Sequence, residues 1–265
     1  MTGGQHVESL LLAVDVGNTN VTIGIFDGAE LRDSWRISTD RRRMADEYRP
    51  LVAELLRGSG LGFGDVRAAV FASVVPPVIA AMSEAFEKEH LKVMALSALM
   101  DFGIRVRYDP PSSVGADRLA NAIAVDELYG RPAIIVDLGT ATTLDVLNGD
   151  GEYIGGAIAP GIESSMEGLF SHAFQLPRLQ LEAPPSAIGR TTVESIRSGA
   201  ILGWASLVDG LVDRFKSEMA GTPHVIATGG LASLVAPHCR TVSATNLDLT
   251  LVGLRLAYER VAGAK

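Results

Sequence analysis

The 265-residue chain has a single cysteine, Cys239, so no disulfide framework can staple it. Its five histidines, at positions 6, 90, 172, 224 and 238, share no metal-ligand spacing, and a zinc site is not expected. Lysine is scarce at four residues, and no G-x-x-x-x-G-K-[ST] phosphate loop occurs. The absence of a G-x-S-x-G elbow excludes a hydrolase of that type. No apolar run approaches the roughly 20 residues of a membrane span. The run LLLAV stops at Asp15 and no basic stretch precedes it, so the expectation is a cytoplasmic protein, neither exported nor anchored. A net charge of −8 disfavours nucleic acid and anionic membranes as partners. The one compact basic run, Arg41-Arg42-Arg43, is followed by Asp46 and Glu47 and is read as a solvated helix entrance rather than a phosphate-binding patch.

What remains is a chain with 47% hydrophobic residues, long enough for one large domain or two small ones. Continuous apolar runs at Leu10 to Val16 and Val21 to Phe26 predict buried strands joined by a polar loop, with a third strand at Glu30 to Ile37. Leu51, Val52, Leu55 and Leu56 give residues 46–57 a helical period, and Ala68 to Val75 is a further strand before the pattern of Val78, Met82, Ala85 and Phe86. A helix is expected near 116–129 and a strand at 133–136. The glycines of 58–64 lack the offsets of a dinucleotide fingerprint, which excludes a Rossmann reading.

The sequence repeats itself. LLAVDVGNTNVTIGIFDG at 11–28 and AIIVDLGTATTLDVLNGDG at 133–151 share the order strand, Asp-x-Gly-polar-x-polar, strand and turn. Asp15 matches Asp137, Gly17 matches Gly139, and Asn18 matches Thr140. In such a turn the glycines let backbone amides approach a ligand, and Asn18, Thr19, Asn20 and Thr140 add donors, which suits a polyphosphate. Asp15 and Asp137 cannot bind phosphate directly, but each can hold a cation that neutralises it, so a metal–nucleotide fits better than a bare anion. Thr228-Gly229-Gly230 after an apolar strand is a third glycine-rich element. Asp117, in Gly115-Ala116-Asp117-Arg118 at a helix start, is the candidate base for an acceptor hydroxyl; Arg118 beside it suits substrate oxygens or developing charge. The plainer alternative for Asp117 is a helix N-terminal charge, which would leave Arg118 at the surface.

These motifs, together with SVVPP at 73–77, Tyr108 and its prolines, GGAIAPG at 155–161, TVESIRSG at 192–199 and LTLVGL at 249–254, resemble the type III pantothenate kinases, a branch of the acetate kinase, sugar kinase and actin superfamily. The resemblance implies transfer of the ATP γ-phosphoryl group to the 4′-hydroxyl of pantothenate, the first step of coenzyme A biosynthesis. It implies an α/β fold of two ribonuclease-H-like, actin-like subdomains with a nucleotide cleft between them, divided as 1–125 and 126–265. By this likeness Asp15, Val16, Gly17, Asn18, Thr19, Asn20, Val21 and Thr22 cradle the ATP phosphates with Mg²⁺, and Thr140 touches ATP. Asp137 holds K⁺ or NH₄⁺, and Asp117 accepts the proton. Tyr108, Gly115, Ala116 and Arg118 hold pantothenate, and Thr192 reaches the pantothenate of a neighbouring subunit.

Similar proteins carry Asn where this chain has Thr191, which weakens the transfer of a role to Thr192. His172 is read as structural. A homodimer is implied, and the pattern of Ile196, Ala200, Leu207, Leu211 and Phe215, with Gly199 and Gly203, suits either a dimer helix or packing within the chain. The alternative function is a nucleotide-binding accessory or transcriptional regulatory protein of the same fold, against which the presence of Asp117 and Arg118 argues. A related kinase with another small acid or sugar acceptor is set aside by the resemblance alone.

Overall fold

The computed structural model describes residues 10–172, 177 and 179–263, so the N-terminal stretch in which no basic start was found lies outside the described residues. The chain forms two compact units. Within the described residues the first takes in the chain up to Gly103, Asp109–Ala124 and everything from Thr250 on, and the second comprises Ile104–Tyr108 and Val125–Leu249. The contact units therefore do not follow a single cut at 125, because the last helix belongs with the first unit.

The first unit begins with strands β1 (Leu10–Val16), β2 (Asn20–Asp27) and β3 (Glu30–Ser38), then helix α1 (Ala45–Gly58), β4 (Val66–Ser73), α2 (Pro76–Glu87) and β5 (Lys92–Ala95). The sheet order is β3-β2-β1-β4-β5, antiparallel through the hairpins and parallel from β1 to β4 and from β4 to β5. Leu10, Leu12, Val14 and Val16 share a core with Tyr48, Val52 and Leu56 of α1 and with Val78, Met82 and Phe86 of α2. Leu11 and Ala13 alternate with them and are buried as well, which is why β1 reads as one unbroken apolar run. Pro76 and Pro77 occupy the first turn of α2, so they begin that helix and β4 stops at Ser73.

The chain continues through β6 (Arg105–Val106), α3 (Ala116–Leu128), β7 (Ala133–Leu138), β8 (Ala141–Leu147), β9 (Glu152–Pro160), α4 (Ile162–His172), α5 (Thr192–Glu218), β10 (His224–Thr228), α6 (Ala232–Val235), β11 (Ala244–Thr245) and α7 (Leu249–Gly263). The second sheet has the order β11-β10-β7-β8-β9-β6. Setting β7 against β1, β8 against β2, β9 against β3, β10 against β4 and β11 against β5 reproduces the first sheet in order and direction, with β6 added beside β9. The sequence echo is thus a duplicated topology. Among the described residues no helix is long and apolar enough to cross a membrane.

In the first unit, α7 lies close against α3: a Cβ at Gly253 would collide with the backbone of Ala120. In the second unit, α5 buries Ile196, Ala200, Ile201, Ala205, Val208 and Val212, and the Trp204 indole N–H donates to Thr142 Oγ1 on β8 at 3.1 Å. Leu211 and Phe215 pack against the same core. Packing within the chain therefore accounts for much of the α5 pattern, whereas Gly199 and Gly203 are exposed with open space beside them.

Beyond β10 the chain is tied back to α5 by Asp209. Its carboxylate accepts from the N–H groups of Arg240 and Thr241, each at 2.9 Å, and from the Thr241 hydroxyl at 2.6 Å. Burial raises the carboxyl pKa, but the bonds from Thr241 and Arg240 outweigh it and hold it below the ordinary aspartate value. A depressed folded-state pKa contributes stability above the unfolded pKa that is lost as pH falls through the folded one. Asp209→Ala is expected to cost about 2 kcal/mol at neutral pH. In urea titrations the gap to the parent should close as pH drops below about 4; an undiminished gap in acid would show that the carboxylate charge is not what matters.

Candidate active site

Both repeated turns begin where a buried strand runs out. Val14 and Val16 are buried, with Asp15 half-buried between them, Gly17 half-buried and Asn18 exposed; Val136, Asp137, Leu138, Gly139 and Thr140 follow the same pattern. Asp15 pairs with Thr22 across the first hairpin, and Asp137 pairs with Thr143 across the second. The Gly17 N–H donates to the Asn20 carbonyl at 3.0 Å, and the Gly139 N–H to the Ala141 carbonyl at 3.1 Å. This closure turns Asn18, Thr19 and Asn20 outward, all three exposed, while Val21 returns to the core and Thr22 is half-buried.

The first turn is stitched to the segment after β3. The Thr39 N–H donates to the Thr19 carbonyl at 3.0 Å, the Thr39 hydroxyl donates to the Gly17 carbonyl at 2.7 Å, and Arg41 Nη2 donates to Asn18 Oδ1 at 3.0 Å. Arg41 and Arg42 are exposed, as a solvated run requires, but Arg41 also reaches the candidate phosphate turn. Its basic run is thus more than the solvated helix entrance read from sequence.

In the second unit two glycines crowd the turn. A Cβ at Gly161 would strike the carbonyl of Thr140, and one at Gly229, where φ is +92°, would strike Asp137 Oδ1. The Thr228-Gly229-Gly230 element therefore abuts the second turn. The Leu231 N–H caps the Leu138 carbonyl at 3.1 Å, as the Val74 N–H caps the Val16 carbonyl at 3.2 Å in the first unit.

Asp117 lies in the first turn of α3, with one carboxylate oxygen accepting from the Arg118 N–H at 2.9 Å. A Cβ at Gly115 would meet that oxygen, so a larger residue there would shift the Asp117 carboxylate. Ala116 is buried, and Arg118 is only 8% exposed. Arg118 is thus not the surface residue that a purely capping role for Asp117 would leave. Tyr108 is half-buried with its ring 6.3 Å from that of Tyr153, and Gly155, at φ +112°, leaves room for it. Thr191 is the N-cap of α5, its hydroxyl accepting from the Glu194 N–H at 3.2 Å, and Thr192 follows as an exposed residue. The residue that departs from the expected pattern thus has a local structural use. His172 Nδ1 sits 2.9 Å from the Gly168 carbonyl within α4, consistent with a structural role.

A family model described as "Type III pantothenate kinase" matches residues 11–214, a span that holds both turns, Asp117 and Thr192. The chain belongs to the type III pantothenate kinase family. Its activity is accordingly ATP-dependent phosphorylation of pantothenate. The type III pantothenate kinase of Thermomicrobium roseum is 48% identical over 253 residues, covering 95% of this chain and 98% of that one. That of Geobacter sulfurreducens is 47% identical over 252 residues, covering 95% and 99%. Among solved structures, the activator of 2-hydroxyisocaproyl-CoA dehydratase from Clostridium difficile, with bound ADPNP, has a TM-score of 0.61 at 14% identity, covering 96% of each chain. A ROK family glucokinase from Streptomyces griseus, in complex with glucose and AMPPNP, has a TM-score of 0.53 at 13% identity, covering 94% of this chain and 99% of that one. These two likenesses establish the actin-like fold.

For this pantothenate kinase the structure adds residues that sequence reasoning missed. Asp145 is fully buried on β8, accepting from the Tyr153 hydroxyl at 2.5 Å and the Thr143 hydroxyl at 3.2 Å. It fixes Tyr153, against which Tyr108 rests. The only signal in the sequence is an acid inside the apolar run LDVL. Gly229→Ala should cut turnover at least about tenfold, because the added methyl must displace the Asp137 carboxylate in a close-packed turn. Steady-state kinetics check this, and parent-like turnover would mean that the turn tolerates the shift.

Proposed function

We propose that the two Asp-x-Gly turns hold the ATP phosphates and that Asp117 accepts the proton of the pantothenate 4′-hydroxyl. That oxygen forms a bond to the γ-phosphorus, the bond from phosphorus to the β,γ-bridging oxygen breaks, ADP leaves, and the proton passes to the Asp117 carboxylate. The observation that carries this reading is Asp117 itself, half-buried at a helix start, with Gly115 leaving room for its carboxylate and a buried arginine after it. Asp15, Val16, Gly17, Asn18, Thr19, Asn20, Val21 and Thr22 form the main phosphate cradle, with Thr140 as a second ATP contact. Tyr108, Gly115, Ala116 and Arg118 bind pantothenate; the Asp145–Tyr153 pair supports Tyr108.

The donor set suits hard cations. Among the described residues no group of three or more His, Cys, Asp or Glu side chains is arranged to enclose a metal. A Mg²⁺ ion that keeps waters and shares phosphate oxygens needs only one or two carboxylates, which Asp15 supplies. Asp137, beside the carbonyls of its turn, suits K⁺ or NH₄⁺. Bound cations supply neutralisation of the phosphate charge; the chain's own groups position the acceptor and take its proton. We also assign a homodimer, supported by the open Gly199 and Gly203 on α5, in which Thr192 serves the neighbouring subunit, and a cytoplasmic location.

Asp117→Asn is expected to lower kcat by about 100-fold or more, since the amide cannot accept the proton, while ATP affinity measured by calorimetry stays within about twofold. Unchanged kcat would remove Asp117 from this role. Replacing K⁺ by Na⁺ at constant ionic strength should reduce activity about tenfold or more, because the smaller ion holds its water more tightly and suits a site sized for K⁺ or NH₄⁺ poorly. Equal rates in both salts would count against a specific monovalent site.

A further inference from the structure

We propose that Arg41 contacts the phosphates of ATP and supplies there the positive charge that lysine supplies in other phosphate loops. The inference rests on the reading of the Asp15–Thr22 turn as the phosphate cradle. Residues 15–22 contain no lysine or arginine and do contain the negative charge of Asp15, so backbone amides and a divalent ion alone leave a triphosphate under-compensated. The fold brings the Arg41 cation to this turn. Its Nη2 donates to Asn18 Oδ1 at 3.0 Å, and two hydrogen bonds from Thr39 to the carbonyls of Gly17 and Thr19, at 2.7 and 3.0 Å, hold its segment against the same turn.

Neither neighbour in the basic run is shown bonded to this turn: the Arg42 side chain is exposed, and only its backbone is engaged. The Arg42 N–H donates to Asp40 Oδ1 at 2.9 Å, and the Tyr48 hydroxyl donates to the Asp40 carbonyl at 3.2 Å, building a turn that presents Arg41. The Arg43 guanidinium lies over the Tyr48 ring at 5.3 Å and serves packing. Asn18 is a neutral acceptor. It orients the Arg41 guanidinium without cancelling its charge and leaves donors to spare, and an arriving phosphate oxygen gains the stronger charge-assisted bond. Exposure of Arg41 and Asn18 leaves both open to a ligand from solvent.

The test compares Arg41→Gln, Arg41→Lys and Arg42→Gln with the parent in steady-state kinetics and in calorimetric binding of ATP and of adenosine. Arg41→Gln should raise the KM for ATP and weaken ATP binding by about tenfold or more. The KM for pantothenate, kcat at saturating ATP and the affinity for adenosine should stay within about twofold, because adenosine carries no phosphate. Arg41→Lys should recover part of the loss, and Arg42→Gln should behave as the parent. Unchanged ATP affinity in Arg41→Gln, an equal loss toward adenosine, or the same loss in Arg42→Gln would each overturn the proposal. Asp15→Asn and Gly17→Val separate it from its foundation. If both bind ATP as the parent does, the turn is not the phosphate cradle; if they fail and Arg41→Gln does not, only the arginine's role falls.

Discussion

Both repeated turns in this chain depend on how a strand buried on both faces gives up its backbone at the end of a sheet. The carbonyl of Val16 or Leu138 and the amide of Gly17 or Gly139 leave the ladder together, and neither can go unpaired so near the core. The fold answers with the same two bonds in each unit. A one-turn closure engages the glycine N–H, and an N–H from the next parallel crossover, on Val74 or Leu231, caps the carbonyl. With the backbone satisfied, the aspartate one position earlier stays half-buried and the polar residues that follow the glycine, Asn18 and Thr140 among them, are exposed.

The two units share a topology but differ at their turns. The first turn is widened by one residue, carries three exposed polar side chains and has Thr39 and Arg41 stitched to it. The second is tighter, and Gly161 and Gly229 press close against it. A duplicated scaffold thus carries one turn rich in exposed polar side chains and one compact turn around a half-buried carboxylate.

Within each unit side-chain positions are set in layers. Tyr108 rests on Tyr153, whose hydroxyl is held by the buried Asp145, and Gly155 keeps the space above the strand clear. Asp117 is likewise oriented by its neighbour's N–H and by the missing side chain of Gly115. Both side chains are thus held by contacts within their own unit, and a group held in this way costs less to order when it binds a ligand.

The sequence alone determined the elements whose information is local. The apolar runs of β1 and β7, the Asp-x-Gly turns, the helical periods of α1 and α2, and the repeat that relates the halves were all legible, because a strand buried on both faces and a glycine turn leave marks within a few residues. Tertiary structure decided what depends on distant neighbours. Short strands such as Lys92–Ala95 and Arg105–Val106 exist only because a paired edge awaits them, and Gly253 is explained only by the Ala120 backbone pressed against it. Arg41 looked like part of a solvated run until Thr39 and Asn18 bound its segment to a turn more than 20 residues earlier. Asp145 looked like an interruption of a strand until Tyr153 donated to it. Such contacts join residues by closing the chain on itself, and no local pattern of hydrophobicity or turn chemistry encodes which partners that closure brings together.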